Sequence, residues 1–202
     1  MFDILRDTKF EDAGNICIEI SSHALDQKRL SQIGWLNSTS ILNITSDHLD
    51  YHKNISAYRD AKFEIYKMRS SIKLIDEDSS KFQDNYDFIQ NDAYKLTTIS
   101  DSNNFSDIFF QIIETSFYKT IFYIYINKPP YGYQDATKKK YKFSCNLFPK
   151  FNIHNLVFAI CSIGFDEFNE NKINDFSFLK LTKGRSEVID NIHSNVIIDY
   201  AH

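Results

Sequence analysis

The chain has 202 residues, of which 43% are apolar and 25% are charged, and its formal net charge at pH 7 is -4. A chain of this size can bury a sizeable core, so we expect a globular protein of one large domain, or of one domain plus part of another. The acidic balance and the single dense basic run, Lys138 to Lys140, argue against a nucleic-acid partner.

No targeting segment or membrane span is predicted. The first residues, MFDILRDTKF, carry charges where a signal peptide has its apolar segment, and no apolar run approaches the roughly 18 residues of a membrane span. Cys17, Cys145 and Cys161 lack metal-ligand spacing and are expected to be buried free thiols. We therefore expect a cytoplasmic protein without a membrane partner.

The first two predicted elements are short β-branched runs, NICIEI (residues 15–20) and TSILNI (residues 39–44). Each is followed by a polar cluster and then by a helical pattern, which is typical of buried strands in βαβ units. The helix after the second run is predicted to begin near Ser56, a good N-cap, with Lys62 beside its apolar stripe. That stripe consists of Tyr58, Ala61, Ile65 and Met68.

The later part of the chain changes character. Residues 85–143 alternate aromatic and β-branched runs with turn-like stretches, so we expect a small antiparallel β insert there. FNIHNLVFAICSIGF has apolar residues at helical spacing, and NVIIDYAH is predicted to be one more buried strand. The predicted fold class is therefore α/β, with a mostly parallel sheet flanked by helices and a small antiparallel insert.

Polar side chains follow both predicted N-terminal strands. Because ligands bind beyond the carboxyl ends of parallel strands, we expect Glu19 and His48 to lie on one rim of the sheet. Such a pair beside a hydroxyl-rich turn could hold a hard divalent cation together with phosphate oxygens. The alternative is structural, with Asp47 capping a helix and the histidines making local hydrogen bonds.

EISSHALDQKRL (residues 19–30) and LNITSDHLDYHKNISAYRDAK (residues 42–62) closely resemble the central domain of the Mur ligases. The similarity continues through KFNIHNLVFAI, GRSEVI and DYAH, so it extends over nearly the whole chain. It is strongest to the branch of the family that adds diaminopimelate or lysine to UDP-N-acetylmuramoyl-L-alanyl-D-glutamate. The resemblance implies a P-loop-like fold, an ATP-dependent amide ligase of peptidoglycan synthesis, ATP and Mg²⁺ as cofactors, and a UDP-muramoyl peptide as substrate.

The resemblance also implies roles for individual residues. Glu19 and His48 match magnesium ligands of the family, and Lys62 matches a lysine that is carbamylated and helps to hold a second metal ion. At the flank of an apolar stripe, Lys62 could be desolvated enough to lose its proton and take up carbon dioxide. Positions near the muramoyl peptide are matched by Ser21, Gln27, Arg29 and His202. Nucleotide-contacting positions are matched by Arg185, Asp199 and Asn152, and for Asn152 a capping role is the equal alternative.

Parts of the family pattern are missing or altered. No GxxxxGK[ST] or GxGxxG phosphate loop occurs in the sequence. In KLIDEDSSKF, Ile75 or Asp76 replaces an asparagine that contacts adenine in the family, and Pro149 replaces a usual glycine. We expect residues 1–190 to be an N-terminally truncated central domain with a β insert at about 85–143, and residues 191–202 to be a truncated start of the C-terminal domain.

Three functional hypotheses follow. The first is a ligase fragment without activity by itself, which could work with a complementary chain that carries the missing domains. The second is a non-catalytic module that binds UDP-muramoyl peptide or completes a split enzyme. The third is a relative of folylpolyglutamate or cyanophycin synthetases, which share the fold, and SSHALDQ together with DHLDYH argues against it.

Overall fold

The computed structural model describes residues 16–45, 49–90, 95–130, 138–189 and 196–200. Within these ranges, seven strands form one sheet and lie in it in chain order. The strands are β1 (Leu36–Ile41), β2 (Ser70–Asp76), β3 (Thr97–Ser100), β4 (Ile108–Thr115), β5 (Thr120–Ile126), β6 (Lys139–Cys145) and β7 (Ile173–Phe176). β1 to β4 are mutually parallel, β5 is antiparallel to both of its neighbours, and β7 is parallel to β6.

The described helices are α1 (Ser22–Asp26), α2 (Leu49–His52), α3 (Ile55–Phe63), α4 (Glu77–Ser80) and α5 (Lys150–Ile163). Three 3-10 turns cover Glu64–Lys67, Gln83–Asn85 and Asp87–Gln90. Side-chain caps fix where several helices begin: the side chains of Ser21, Asn54 and Asp76 accept the backbone N–H groups of Ala24, Ala57 and Ser79. A separate two-stranded antiparallel sheet joins β8 (Glu187–Ile189) and β9 (Val196–Ile198).

Two apolar cores lie on the sheet. In the larger core, α5 packs across one face of the sheet and lies closest to β1 and β2, and the fully buried members of this core include Phe110, Phe122, Phe143, Ile153 and Val157. The smaller core joins Ile41 of β1 and Ile75 of β2 to α3 and the turn that follows it. Since Ile75 and its neighbour Leu74 point to opposite faces of β2, the two cores lie on opposite faces of the sheet.

The predicted α/β class, with a mostly parallel sheet and an antiparallel part, is confirmed. The helix predicted in FNIHNLVFAICSIGF is α5. The strand predicted in TSILNI begins earlier, at Leu36, and the helix predicted from Ser56 has Asn54 as its N-cap. The antiparallel strands lie where we expected them, but they continue the parallel sheet instead of forming a separate one.

Two strand predictions need correction. The described part of NICIEI, residues 16–20, is not a strand and is partly exposed, because no described strand pairs with it. NVIIDYAH does contain a strand, β9, but its three side chains are exposed by 40–46% because neither core reaches the small sheet. In the described ranges, no helix is long and apolar enough to cross a membrane.

Candidate functional site

The fold brings together the two motifs that carry the strongest resemblance. Ser22 on α1 and His52 on α2 are both buried, and the Ser22 hydroxyl lies 2.9 Å from Nε2 of His52. The His52 ring also packs edge-on against Tyr58 of α3. This buried contact holds EISSHALDQKRL against the DHLDYH stretch. It also gives Ser22 a structural role, because its hydroxyl is engaged by His52.

A chain of exposed polar contacts runs along the outside of this junction. The Tyr51 hydroxyl donates to Oδ2 of Asp26 at 2.9 Å and accepts from Nε2 of Gln27 at 3.2 Å. Oε1 of Gln27 in turn accepts from Nε of Arg29 at 2.9 Å. The His23 ring lies against Tyr51, with ring centroids 3.9 Å apart. Gln27 and Arg29, two predicted substrate-binding residues, are thus neighbours on one surface.

Ser21, the third predicted substrate-binding residue in this segment, is the N-cap of α1, and its hydroxyl accepts from the backbone N–H of Ala24 at 3.2 Å. Glu19 lies two residues before it and is exposed. His48 and His202 lie outside the described residues, so the predicted pairing of Glu19 with His48 stays a prediction. Among the described side chains, no group of three His, Cys, Asp or Glu is placed to hold a metal ion.

Lys62 on α3 points at the carboxyl end of β1. Its Nζ donates to the backbone carbonyl of Asn43 at 2.9 Å, and Asn43 lies just beyond the last residue of that strand. The same ammonium lies 5.1 Å from the centroid of the Tyr58 ring. Lys62 is half-buried, and its amine makes this exposed contact at the rim where parallel sheets bind ligands.

The carboxyl ends of β2 and β3 carry a second polar network. Ile75 is fully buried, so Asp76 is the residue of that pair that lies at the rim. Oδ1 of Asp76 lies 3.2 Å from Nε2 of His154 on α5, and its Oδ2 accepts from the N–H of Ser79 at 3.3 Å. Both oxygens of the Asp76 carboxylate therefore already have partners within the chain. From the resemblance, an asparagine side chain was expected at this position.

The neighbouring carboxylate is engaged in the same way. Oε1 of Glu77 accepts from Nδ2 of Asn103 at 2.9 Å, and its Oε2 accepts from the Ser106 hydroxyl at 2.8 Å. Lys150, the first residue of α5, lies 2.6 Å from Oδ2 of Asp101. These contacts join α4, α5 and the loop after β3 into one network at the rim.

The remaining predicted nucleotide-binding residues have structural contacts. Asn152 is buried, and its Nδ2 donates to the carbonyl of Phe148 at 2.8 Å. This contact is not a helix cap, because α5 begins after Pro149 without a side-chain cap. Oδ2 of Asp199 accepts from the N–H and the hydroxyl of Ser186 at 2.9 and 2.7 Å. The Arg185 side chain is exposed beside this contact. Their nucleotide-binding roles stay predictions.

Sequence reasoning missed three contact residues: Tyr51, His52 and His154. Tyr51 and His52 lie within the crowded DHLDYH stretch, so local composition marked the segment without giving their partners. His154 was one polar residue in an apolar helix, and its partner Asp76 is distant in the chain. These contacts depend on how elements pack, which sequence spacing does not specify.

The sequence pattern of the family described as the Mur ligase middle domain matches residues 3–163 of this chain. The chain therefore belongs to that family. The chain is 28% identical over 192 residues to the "UDP-N-acetylmuramoyl-L-alanyl-D-glutamate--2,6-diaminopimelate ligase" of Rickettsia montanensis, an alignment that covers 93% of this chain and 36% of that protein. It is 30% identical over 193 residues to the ligase of the same name from Aquifex aeolicus, which covers 94% of this chain and 36% of the relative.

Solved structures agree with the family assignment. A structure of a UDP-N-acetylmuramoyl-L-alanyl-D-glutamate 2,6-diaminopimelate ligase superposes with a TM-score of 0.65 at 25% identity, over 91% of this chain and 36% of that one. The MurF ligase of Thermotoga maritima in complex with ADP shares the fold, with a TM-score of 0.57 at 14% identity, over 86% and 37% of the two chains. The chain thus spans little more than a third of the length of these relatives.

Proposed function

We propose that this chain is the central portion of an ATP-dependent ligase that adds diaminopimelate or lysine to UDP-N-acetylmuramoyl-L-alanyl-D-glutamate in the cytoplasm. The observation that carries the proposal is the position of Lys62, whose amine points at the carboxyl end of β1 next to the junction of the two ligase motifs. The proposal divides the chain into residues 1–190, the central domain, and residues 191–202, the start of the next domain.

The proposed reaction has two steps. The terminal carboxylate of the muramoyl dipeptide attacks the γ-phosphorus of ATP and releases ADP, and the incoming amine then displaces phosphate from the acyl phosphate, losing a proton as the amide forms. Mg²⁺ prefers oxygen ligands, and the exposed carboxylate of Glu19 fits such an ion. With His48, Glu19 would hold a magnesium ion that neutralises charge on the phosphate oxygens.

Lys62 has a distinct role in this proposal. Its neutral amine adds to carbon dioxide, forming an N–C bond and releasing a proton, and the resulting carbamate is an anion at the same rim. The half-buried position and the neighbouring Tyr58 ring reduce the exposure of the amine to water. The carbonyl of Asn43 fixes the direction of the side chain.

Polar residues from several segments of the chain would bind the substrates. The Arg29 guanidinium, held by Gln27, suits a phosphate or carboxylate of the UDP-muramoyl peptide because it can donate two parallel hydrogen bonds. Ser21 and His202 complete the proposed peptide site. Arg185, Asp199 and Asn152 are assigned to the nucleotide.

The polypeptide of this sequence is expected to be inactive when assayed alone. It spans 36% of the length of its Rickettsia relative and contains no phosphate-loop motif, which would position the β- and γ-phosphates through backbone N–H groups. Activity should therefore require a complementary polypeptide that supplies the remaining portions.

The test is a complementation assay. This chain is combined with polypeptides that carry the remaining portions of the Rickettsia montanensis enzyme, and ATP-dependent phosphate release is measured with and without UDP-muramoyl dipeptide and each amino acid. Lys62→Ala should lower the rate at least about tenfold, and added acetate or formate should restore part of it. Lys67→Ala is the matched control, because Lys67 is an exposed lysine paired with Glu64 in the turn after α3.

Phosphate release that needs both substrates with this chain alone would contradict the requirement for a complement. A fully active Lys62→Ala complex would contradict the carbamate role. No release with any complement, together with binding of UDP-muramoyl dipeptide in calorimetry, would favour the non-catalytic module. One observation favours that alternative: Asp76, at the position expected to contact adenine, is already engaged by His154 and Ser79.

A further inference from the structure

The two edge strands of the seven-stranded sheet differ in their sequences. β7, at one edge, has four residues, and one of them is Asp175, whose charge disfavours pairing with a further strand. β1, at the other edge, has six residues, LNSTSI, with neither a charge nor a proline. Edge strands are normally short, charged or interrupted, so β1 has the sequence of a strand with neighbours on both sides. Among the described strands, only β2 pairs with it, and we call the side of β1 away from β2 its open side.

Both faces of β1 are covered by helical elements. On one face, the Ser40 hydroxyl lies 3.4 Å from the Ser162 hydroxyl of α5. On the opposite face, Ile41 belongs to the smaller core, together with Tyr66 of the turn after α3. A strand covered on both faces is typical of the interior of a parallel sheet. The open side of β1 therefore lies between two layers of helical elements, as the place of an inner strand does.

α5 borders the open side of β1. Nε2 of His154 on α5 lies 3.2 Å from Asp76 of β2, whereas Ser162, further round the helix, contacts Ser40 of β1. Continuing around the helix in the same direction leads to a face that lies beyond β1. Three exposed residues share that face with Ser162 at spacings of three or four: Phe151, Asn155 and Ala159. A further strand beside β1 would therefore pack beneath this face of α5.

Residues 16–20 run towards the same rim as β1. They lead into α1, where Ser22 contacts His52 of α2, and Lys62 of the following helix reaches Asn43 just beyond β1. The carboxyl ends of residues 16–20 and of β1 thus lie at one rim, as the ends of parallel strands do. Residues 16–20 have a strand-type sequence, stay partly exposed and pair with no described strand.

We propose that the open side of β1 binds a parallel strand from the complementary polypeptide, and that residues 16–20 pair with the other edge of that strand. The source of the strand rests on the proposed function. The chain spans 36% of the length of its Rickettsia relative, so the remaining portions are long enough to supply a strand. Because helical elements cover both faces of β1, the inserted segment is expected to be apolar on both faces and about six residues long, like β1.

The first test is amide hydrogen exchange of the chain, alone and with polypeptides that carry the remaining portions of the Rickettsia montanensis enzyme. In the complex, exchange of residues 16–20 and of the Asn37 amide should slow at least about tenfold, while exchange in β7 stays the same. This protection needs no turnover. A protected but inactive complex would contradict the proposed function alone, and an active complex without protection would overturn this inference alone.

Asn37 offers a variant that blocks only the open side. The Leu36 N–H donates to the carbonyl of Arg69, next to β2, and successive N–H groups of a strand point to opposite edges, so the Asn37 N–H points to the open side. Asn37→Pro removes that N–H and should weaken binding of the complement at least about tenfold, while the isolated chain stays folded. Asn37→Ala keeps the N–H and should bind like the unsubstituted chain.

Calorimetry measures the affinities, and circular dichroism checks that the sheet of each variant is intact. Equal affinity of folded Asn37→Pro and Asn37→Ala for the complement would overturn the proposal. So would an Asn37 amide that is already protected in the isolated chain, because another segment or a second copy would then occupy the open side. Hydrogen exchange uses the unsubstituted chain, so its result decides the proposal whether or not the proline variant folds.

Discussion

At the scale of single residues, Lys73 shows how the fold engages a buried lysine through a backbone carbonyl and a hydroxyl. It lies buried in β2, and its Nζ donates to the carbonyl of Met68 at 3.0 Å and to the hydroxyl of Ser70 at 2.6 Å. Burial lowers the pKa of Lys73 from its usual 10.5. The charged amine therefore caps the turn before β2 at some cost in desolvation.

This lowered pKa gives a pH-dependent prediction for Lys73→Met. Between the folded-state pKa and the unfolded-state pKa, the folded chain binds fewer protons, so its free energy of unfolding rises with pH in that window. The variant lacks this rise. Urea unfolding should be measured at several pH values between about 8 and 11. The free energy of unfolding of Lys73→Met, relative to that of the parent, should fall as the pH increases. Lys95→Met, at an exposed lysine, is the matched control for the substitution itself, and a constant difference for Lys73→Met would contradict the assignment.

At the scale of elements, the small sheet of β8 and β9 depends on one glycine. Gly184 has φ +72, which favours glycine, and a Cβ there would lie 2.3 Å from a ring carbon of Tyr200. Its N–H donates to Oε2 of Glu187, and its carbonyl accepts from the N–H of Tyr200. The glycine thus joins the turn before β8 to Tyr200, the second residue after β9.

Gly184→Ala should loosen this sheet without unfolding the molecule. We expect amide hydrogen exchange of Glu187–Ile189 to become at least about tenfold faster while β5 keeps its protection, because the two sheets share no core. Gly34→Ala is the control: a Cβ at Gly34 meets nothing within 4 Å, and its φ is not in the positive region. Equal exchange rates in the parent and in Gly184→Ala would show that the close approach to Tyr200 is not maintained.

At the scale of the whole molecule, the seven-stranded sheet should unfold as one unit. β2 contributes Leu74 to the larger core and Ile75 to the smaller one, so losing either core exposes the same strand. Phe122 on β5 is fully buried in the larger core and stacks on Phe143. The connection through β2 predicts that damage at β5 lowers the stability of both cores together.

Phe122→Ala should therefore lower the free energy of unfolding by about 3–5 kcal/mol, through lost burial and the cavity that remains. Denaturant unfolding should keep a single transition with an unchanged dependence on denaturant. Phe178→Ala removes an aromatic ring that is 70% exposed and should change stability by less than about 0.5 kcal/mol. Two separate transitions in either protein would contradict the single-unit prediction.

The sequence marked candidate site residues, but it did not give the contacts that they make. The motifs marked Glu19, Lys62 and the DHLDYH stretch, because dense polar groups after apolar runs have a local pattern. The contact of Ser22 with His52 and that of Asp76 with His154 join residues far apart in the chain. No local pattern specifies such pairs, because they form only when the helices pack on the sheet.

The sequence by itself determined the helix α5 and the family, since periodicity and motifs are local properties of the chain. Tertiary structure decided the rest. Residues 16–20 have strand-forming side chains but no described strand beside them, and β9 has apolar side chains but no core against it. A strand needs hydrogen-bonding neighbours, and burial needs a packing surface, and both are supplied by other parts of the polypeptide.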